Sequence, residues 1–193
     1  MNAPQRVAVA RVVALAVTGG AKTEPTPTEP SAGGGSAVPG PTIVAVSVPP
    51  PMQHGFSYAE PGRVSQRFAT SLYSADTRRD ARPDDVYRRA MRFASGTLAS
   101  QSAAADHDGR WTTWTAHRAY VQAVVTPFVD TPTAADDGIN AGRAYRVKST
   151  PVGEDGWRDR TEYSTVDCRS RSGSPGGPGW RVASYEIRLV SLR

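Results

Sequence analysis

The folded part of the chain opens with apolar residues that recur at helical spacing. Val64, Phe68 and Leu72 follow one another at every fourth position, which predicts a helix over residues 61–74 with one apolar face. A second helix is predicted to begin at Pro83, because proline and the acidic residues after it suit a helical first turn. Its apolar positions are Val86, Ala90, Phe93, Ala94 and Leu98. Both helices therefore have a face that can pack on a common core.

Beyond residue 109 the pattern changes to the alternation expected of β-strands. The segments are rich in Trp, Tyr, Thr and Val, which favour strands. The four predicted strands span residues 111–129, 144–150, 157–168 and 180–192. The side chains expected to face the core are Tyr145 and Val147 in the second strand, and Ala183, Tyr185, Ile187 and Leu189 in the last. Helices followed by strands predict an α+β domain, with N-terminal helices packed on a curved antiparallel sheet of about four strands.

The opposite face of the predicted sheet is charged. Its residues would be Arg146, Lys148, Arg158, Arg160, Glu162, Glu186 and Arg188. One interpretation is a solvated face whose opposite charges pair across strands, as is usual for a one-sided antiparallel sheet. The other interpretation is an interaction face for a protein partner or a second copy of the chain, carried by Arg146, Lys148, Arg158, Arg160 and Arg188.

The first 55 residues differ in composition from the rest. They hold nine of the 16 prolines, and residues 21–55 are predicted to be a disordered linker, because Pro- and Gly-rich sequence buries little apolar surface. Residues 42–48 are β-branched and apolar, in contrast to the rest of the linker. They form either an added edge strand or an apolar patch within the linker.

Residues 1–20 make a weakly apolar segment that Arg11 interrupts. A membrane-spanning helix needs about 20 apolar residues, so this segment does not span a bilayer as written. Two interpretations remain, a degenerate export or anchor segment and the N-terminus of a cytoplasmic protein. The predicted organisation is therefore an anchor-like segment at 1–20, a linker at 21–55 and an α+β domain at 56–193.

Charge and cysteine content narrow the classes of partner and site. The chain of 193 residues has a formal net charge of +5, but acidic residues are interspersed among the arginines. This distribution disfavours a nucleic-acid surface and leaves protein subunits as the expected partners. Cys168 is the only cysteine, which excludes an intramolecular disulfide and a four-cysteine zinc site, and a buried apolar role is expected for it.

The sequence carries no catalytic, cofactor-binding or metal-binding motif. His54, His107 and His117 fall in the linker, a loop and the first strand, without the spacing of a zinc site. Neither a cofactor nor a reaction is therefore predicted. If the domain instead binds a ligand, the expected pocket residues are Tyr87, His117 and Tyr120, although aromatic residues at such positions usually belong to a core.

The order of helices and strands resembles the cone-shaped, cystatin-like domains of nuclear transport factor two and its relatives. The stretches that carry the resemblance are VSQRFATSLY, DDVYRRAMRFASGTL, RAYVQAVV, RAYRVKS, WRDRTEYSTV and GWRVASYEIRL. They extend over residues 56–193. The resemblance implies a cone formed by helices and a curved sheet, whose interior in some relatives carries catalytic polar residues.

An apolar N-terminus, a Pro/Gly linker and a cone domain together resemble the conjugation-channel assembly proteins of type IV secretion systems in Gram-positive bacteria, and anchored actinobacterial proteins. This resemblance implies a non-catalytic, envelope-associated scaffold that lies outside the cytoplasm, self-associates and meets the membrane only through its N-terminus. The chain departs from the pattern because Arg11 breaks the anchor and there is room for one cone domain. The alternatives are a cytoplasmic location, and a cone-fold protein that binds a small ligand or catalyses a reaction inside the sheet.

Overall fold

The computed structural model describes residues 50–101, 109–128, 136–173 and 179–190. The helices in these ranges are α1 (Pro61–Leu72), α2 (Pro83–Met91), α3 (Gly96–Ala99) and α4 (Arg110–Ala116). The strands are β1 (Tyr120–Pro127), β2 (Asn140–Val152), β3 (Glu162–Ser172) and β4 (Trp180–Leu189). Each strand pairs antiparallel with the next, in the order β1-β2-β3-β4. The predicted α+β class, with helices preceding a four-stranded antiparallel sheet, is confirmed.

Several predictions lie outside the described residues. They concern the anchor-like segment at 1–20, the linker as far as residue 49, the possible edge strand at 42–48 and the loop position of His107. The domain boundary at residue 55 stays a prediction.

Helix α1 supplies the centre of the core. Pro61 lies in its first turn, where the missing amide hydrogen costs no intrahelical bond. Val64 and Phe68 are fully buried, and the helix contacts all four strands, so it lies across the sheet. The buried sheet residues in the same cluster are Tyr145, Val147, Val166, Cys168 and Val182. The predicted apolar face of the first helix and the inward positions of the second strand are thus confirmed.

The predicted second helix divides into two. Helix α2 ends at Met91, and residues 93–95 run beside β4 before α3 begins. The Val182 amide donates a hydrogen bond to the Phe93 carbonyl (3.0 Å), and the Ser95 amide donates to the Val182 carbonyl (2.8 Å). Pairing with the strand edge therefore replaces the bonds of a continuous helix. The apolar positions predicted for the helix stay buried, namely Val86, Ala90, Phe93, Ala94 and Leu98.

The prediction of a strand from residue 111 onwards is wrong for its first part. Arg110–Ala116 is helix α4, and β1 begins only at Tyr120. Threonine and tryptophan favour strands locally, but Trp111 and Trp114 lie one helical turn apart and line the same cavity. The packing of these two side chains outweighs the intrinsic preference of the segment. His117 consequently caps the end of α4 and does not lie in a strand.

The third strand begins later than predicted. Gly156, with a φ of 86°, belongs to a tight turn after β2, and β3 begins at Glu162. Arg158 and Arg160 therefore lie in the connection between the strands and not in β3. Glu162 is the register partner of the buried Ser149, so it faces the helices and not the opposite side as predicted.

A β-bulge changes the alternation of the last strand. The register between β3 and β4 skips Ala183. The extra residue reverses the facing of the positions before it, so Val182 is fully buried and Ala183 is exposed. The prediction that Ala183 faces the core is therefore wrong. Leu189, also predicted to face the core, is the last residue of the edge strand and is 64% exposed, whereas Tyr185 and Ile187 pack against the core.

The chain before α1 closes one end of the sheet. The Tyr58 carbonyl accepts a hydrogen bond from the Trp180 amide (2.8 Å), and the ring centroid of Tyr58 lies 4.2 Å from the Arg181 guanidinium. Burial lowers the pKa of Arg181, and its hydrogen bond to the Arg92 carbonyl (2.8 Å) offsets part of this desolvation. Gly179 has a φ of 100°, and a Cβ there would lie 2.7 Å from the Cβ of Tyr58, so this close approach requires glycine.

Aspartate substitutions at neighbouring positions test the bulge. Val182→Asp places an unpaired charge in the core and is expected to lower the free energy of unfolding by about 3–5 kcal/mol. Ala183→Asp changes an exposed position and is expected to alter that free energy by no more than about 0.5 kcal/mol. Urea unfolding followed by circular dichroism measures both values. The reverse order would show that the strand alternates without a bulge.

Candidate functional site

A cavity of about 500 Å³ lies between the helices and one end of the sheet. Residues from the end of α1, the start of α2 and the first part of α4 line it, together with the start of β1, the end of β2 and the start of β3. Its apolar lining includes Leu72, Val86, Trp111, Trp114, Val121 and Pro151. Its polar lining consists of Tyr73, Arg110, Thr112, Ser149 and Glu162. The site is thus largely apolar, with a few polar groups contributed by different elements.

Tyr73, one of the polar lining residues, is hydrogen-bonded to Ser164 on the neighbouring strand β3. The Tyr73 and Ser164 hydroxyl oxygens lie 2.7 Å apart, and Ser164 is only 2% exposed. Burial raises the pKa of Tyr73, so its hydroxyl stays neutral at physiological pH. The pair joins the end of α1 to β3, and Tyr73 contributes a neutral polar group to the cavity lining.

Helix α4 forms one wall of the cavity and carries an ion pair with β3. Arg110 donates to a Glu162 carboxylate oxygen at 2.8 Å, and its guanidinium lies 5.6 Å from the centroid of Trp114. The Trp114 Nε1 donates to Asp159 (3.2 Å), and the Trp111 and Trp114 rings lie 6.3 Å apart. These bonds hold a seven-residue helix, none of whose side chains is buried, over the cavity.

His117 lies in a separate charged group at the other end of α4. Its Nδ1 is 2.7 Å from an Asp155 carboxylate oxygen, and its ring stacks on Trp157 with 4.5 Å between centroids. The hydrogen bond from His117 lowers the pKa of the Asp155 carboxyl. Arg118 and Arg78 both bond Glu154 in the same turn. This group ties the α4–β1 junction to the β2–β3 turn, and none of its members lines the cavity.

Neither of the other two predicted pocket residues lines the cavity. Tyr87 is on α2, and burial raises its pKa, an effect that the neighbouring Tyr185 side chain on β4 partly opposes. Tyr120, at the start of β1, has the Arg78 guanidinium 4.6 Å from its ring centroid. Tyr120 thus lies beside the charged group of His117 through Arg78, whereas Tyr87 lies on α2, and none of the three lines the cavity. Their role in ligand binding stays a prediction.

The predicted interaction face is divided between the sheet and a loop. Arg146, Lys148 and Arg188 are exposed on strands, whereas Arg158 and Arg160 lie in the connection before β3. We define the outer face as the sheet surface that points away from the helices, carrying Gln122, Val124, Arg146, Lys148, Tyr163, Asp167, Glu186 and Arg188. Arg188 pairs there with Asp167, and the Arg146 guanidinium lies 4.0 Å from the Phe128 ring centroid. Its role in interactions stays a prediction.

Sequence reasoning missed the residues that form the cavity. Tyr73 lies beside the apolar stripe of its helix, and Arg110 precedes a segment with strand-like composition. Ser149 continues the inward alternation of Tyr145 and Val147, and nothing in the sequence distinguishes it from any other inward residue of a strand. The three-residue spacing of Trp111 and Trp114 is the one local signal compatible with a helix that presents two rings to one site.

Two further classes of feature are absent from the described parts of the chain. Within residues 50–101, 109–128, 136–173 and 179–190, no group of three or more His, Cys, Asp or Glu side chains could hold a metal ion. In the same ranges, no helix has the length and hydropathy needed to cross a membrane.

This arrangement of helices and strands is similar to that of a type IV secretion protein. The solved structure is an IcmL-like type IV secretion system protein from Legionella pneumophila subsp. pneumophila str. Philadelphia 1. The match covers 68% of this chain and 92% of that chain, with a TM-score of 0.51 and 14% sequence identity. At this identity the likeness extends to the fold alone. The sequence matches no protein-family model and no curated protein.

The likeness supports the type IV secretion part of the predicted resemblance at the level of fold. The cystatin-like cone and the assignment to Gram-positive bacteria stay predictions.

A double-mutant cycle tests the hydroxyl pair of the cavity. Tyr73→Phe leaves the buried Ser164 hydroxyl without its partner and is expected to lower the free energy of unfolding by about 1–3 kcal/mol. Adding Ser164→Ala is expected to restore most of that loss, because the unsatisfied group is then removed. Tyr163→Phe, on the outer face, is the matched control and is expected to be nearly neutral. Additive losses for Tyr73→Phe and Ser164→Ala in urea unfolding would contradict the coupling.

Proposed function

We propose that the protein is a non-catalytic assembly component of an envelope-associated type IV secretion or conjugative transfer apparatus. It works through contacts with other protein subunits and with copies of itself. The observation that carries the proposal is the likeness of its fold to the IcmL-like type IV secretion system protein. In this proposal residues 1–20 attach the chain to the membrane, and the α+β domain lies outside the cytoplasm.

The outer face supports action through protein contacts. Val124 is 58% exposed and is the register partner of Lys148, which in turn pairs with Tyr163. An exposed aliphatic side chain near a tyrosine is typical of protein interfaces, where aromatic side chains and arginine are enriched. Arg188 is paired with Asp167, so the face is not uniformly basic, and this favours a protein partner over nucleic acid.

Single-cysteine crosslinking tests contact through the outer face. The native Cys168 is 1% exposed, and burial raises the pKa of its thiol to about 12, so it does not react with maleimides in the folded protein. Lys148→Cys places a reactive thiol on the outer face. We expect a maleimide–benzophenone reagent attached to this thiol to join this variant, on irradiation in membranes of the native host, to a C–H bond of another subunit or of a second copy. Mass spectrometry of the adduct identifies which.

The matched control replaces a different exposed cation. Arg67→Cys lies on the exposed side of α1 and is expected to give far less adduct. The unsubstituted chain, with Cys168 alone, is expected to give none. Adducts of equal yield from both variants, or none from Lys148→Cys, would show that the outer face is not the contact surface.

Cell fractionation tests the proposed location separately. We expect the full-length chain to sediment with membranes, and protease added to cells without their wall to cleave the domain. A variant that lacks residues 1–20 is expected to leave the membrane fraction, because those residues supply the attachment. Recovery of the full-length chain entirely in the cytosol, protected from protease, would contradict the location.

A further inference from the structure

We infer that the cavity beneath α4 is a binding site for a small, uncharged ring compound that carries one hydrogen-bonding group. The site lies on the helix side of the sheet, whereas the proposed subunit contacts use the outer face. It is therefore independent of the proposed assembly role, and either can fail without the other.

The size and walls of the cavity suit an apolar ring. Its volume of about 500 Å³ falls within the range of small-molecule pockets, roughly 300–1,000 Å³. Trp111 and Trp114 contribute two indole rings to its lining, and Leu72, Val86 and Val121 contribute aliphatic surface. A flat apolar compound would be held by stacking and burial.

Ser149 supplies an available polar group inside this apolar space. It lines the cavity and is only 6% exposed, and its hydroxyl has no hydrogen-bond partner among the described residues. The described residues hold no enclosed side-chain nitrogen or oxygen that lacks a partner, so the Ser149 hydroxyl is open to the cavity. A buried hydroxyl open to an apolar cavity favours a ligand with one complementary donor or acceptor.

The charges around the cavity disfavour an ionised ligand. Arg110 and Glu162 are its charged lining residues, and each is engaged by the other at 2.8 Å. Tyr73 is neutral and already bonded to Ser164. A carboxylate or an amine would therefore lose its hydration without gaining an unpaired counter-charge.

Indole NMR signals of the purified full-length chain give a direct test. Its four tryptophans contribute four indole N–H signals. Titration with 2-naphthol is expected to shift the signals of Trp111 and Trp114. Trp157, stacked on His117, and Trp180, at the start of β4, are expected to stay unchanged and act as internal controls. Calorimetry then gives the dissociation constant.

Three probes with the same ring system distinguish the contributions of hydrogen bonding, apolar burial and charge to binding. 2-Naphthol carries a hydroxyl, 2-methylnaphthalene replaces it with a methyl group, and 2-naphthoate carries a charge. We expect 2-naphthol to bind most tightly and 2-naphthoate most weakly. Ser149→Ala is expected to weaken 2-naphthol binding roughly two- to tenfold, the range of one net hydrogen bond, without weakening 2-methylnaphthalene.

Two further variants complete the experiment. Val121→Phe adds a ring to the cavity wall and is expected to weaken binding of both uncharged probes. Ser184→Ala, at an exposed position of β4, removes a hydroxyl far from the cavity and is expected to change neither. Equal shifts of all four indole signals, no shift with 2-naphthol, or the same loss for both uncharged probes in Ser149→Ala would overturn the inference.

Discussion

A single helix is too short to cover this sheet, and that mismatch determines most of the architecture. Helix α1 has 12 residues and is about 18 Å long, whereas β2 has 13 residues and extends over about 43 Å. Because α1 lies across all four strands, the strands project beyond it at both ends. At one end Phe56, Tyr58 and Phe93 fill the space, with ring centroids 5.0–6.0 Å apart. At the other end the cover is α4, and the cavity remains.

The two sides of the sheet are chemically separate although they share every strand. Lys148 and Ser149 are neighbours in sequence, yet one lies on the outer face and the other in the cavity. Polar groups on the helix side are few; Tyr73 and Ser164 bond each other, and the Ser149 hydroxyl is open to the cavity. Charged groups on the outer face meet solvent. A surface for subunits and a pocket for a ring compound can therefore coexist in a domain of this size, each altered without disturbing the other.

The sequence predicts helix and strand faces that follow from local spacing. It does not predict features that depend on contacts between residues distant in the chain. The four-residue spacing of Val64 and Phe68 directly predicts the buried face of a helix. The alternation of Tyr145 and Val147 likewise predicts the buried face of a strand. The bulge at Ala183 inserts one residue without any composition that marks it, so simple alternation predicts the wrong inward residues. Residues 110–116 form helix α4 although their threonines and tryptophans favour a strand. The helix places Trp111 and Trp114 in the lining of a cavity whose other residues come mostly from distant parts of the chain, which local composition does not reveal. Tyr73 and Ser164, for example, meet across 91 positions.

The attachment of Tyr58 to the first residue of β4 decides how the domain bears mechanical load. Tension that reaches the domain along the chain from its N-terminal side arrives at this attachment before it reaches α1. It is met there by a main-chain hydrogen bond, the stacked guanidinium of Arg181 and a glycine-dependent close contact at Gly179. The load then passes into β4, which is bonded along its length to β3. These contacts lie at the end of the sheet remote from the cavity, so tension from the N-terminal side meets them without passing through the residues that line the cavity.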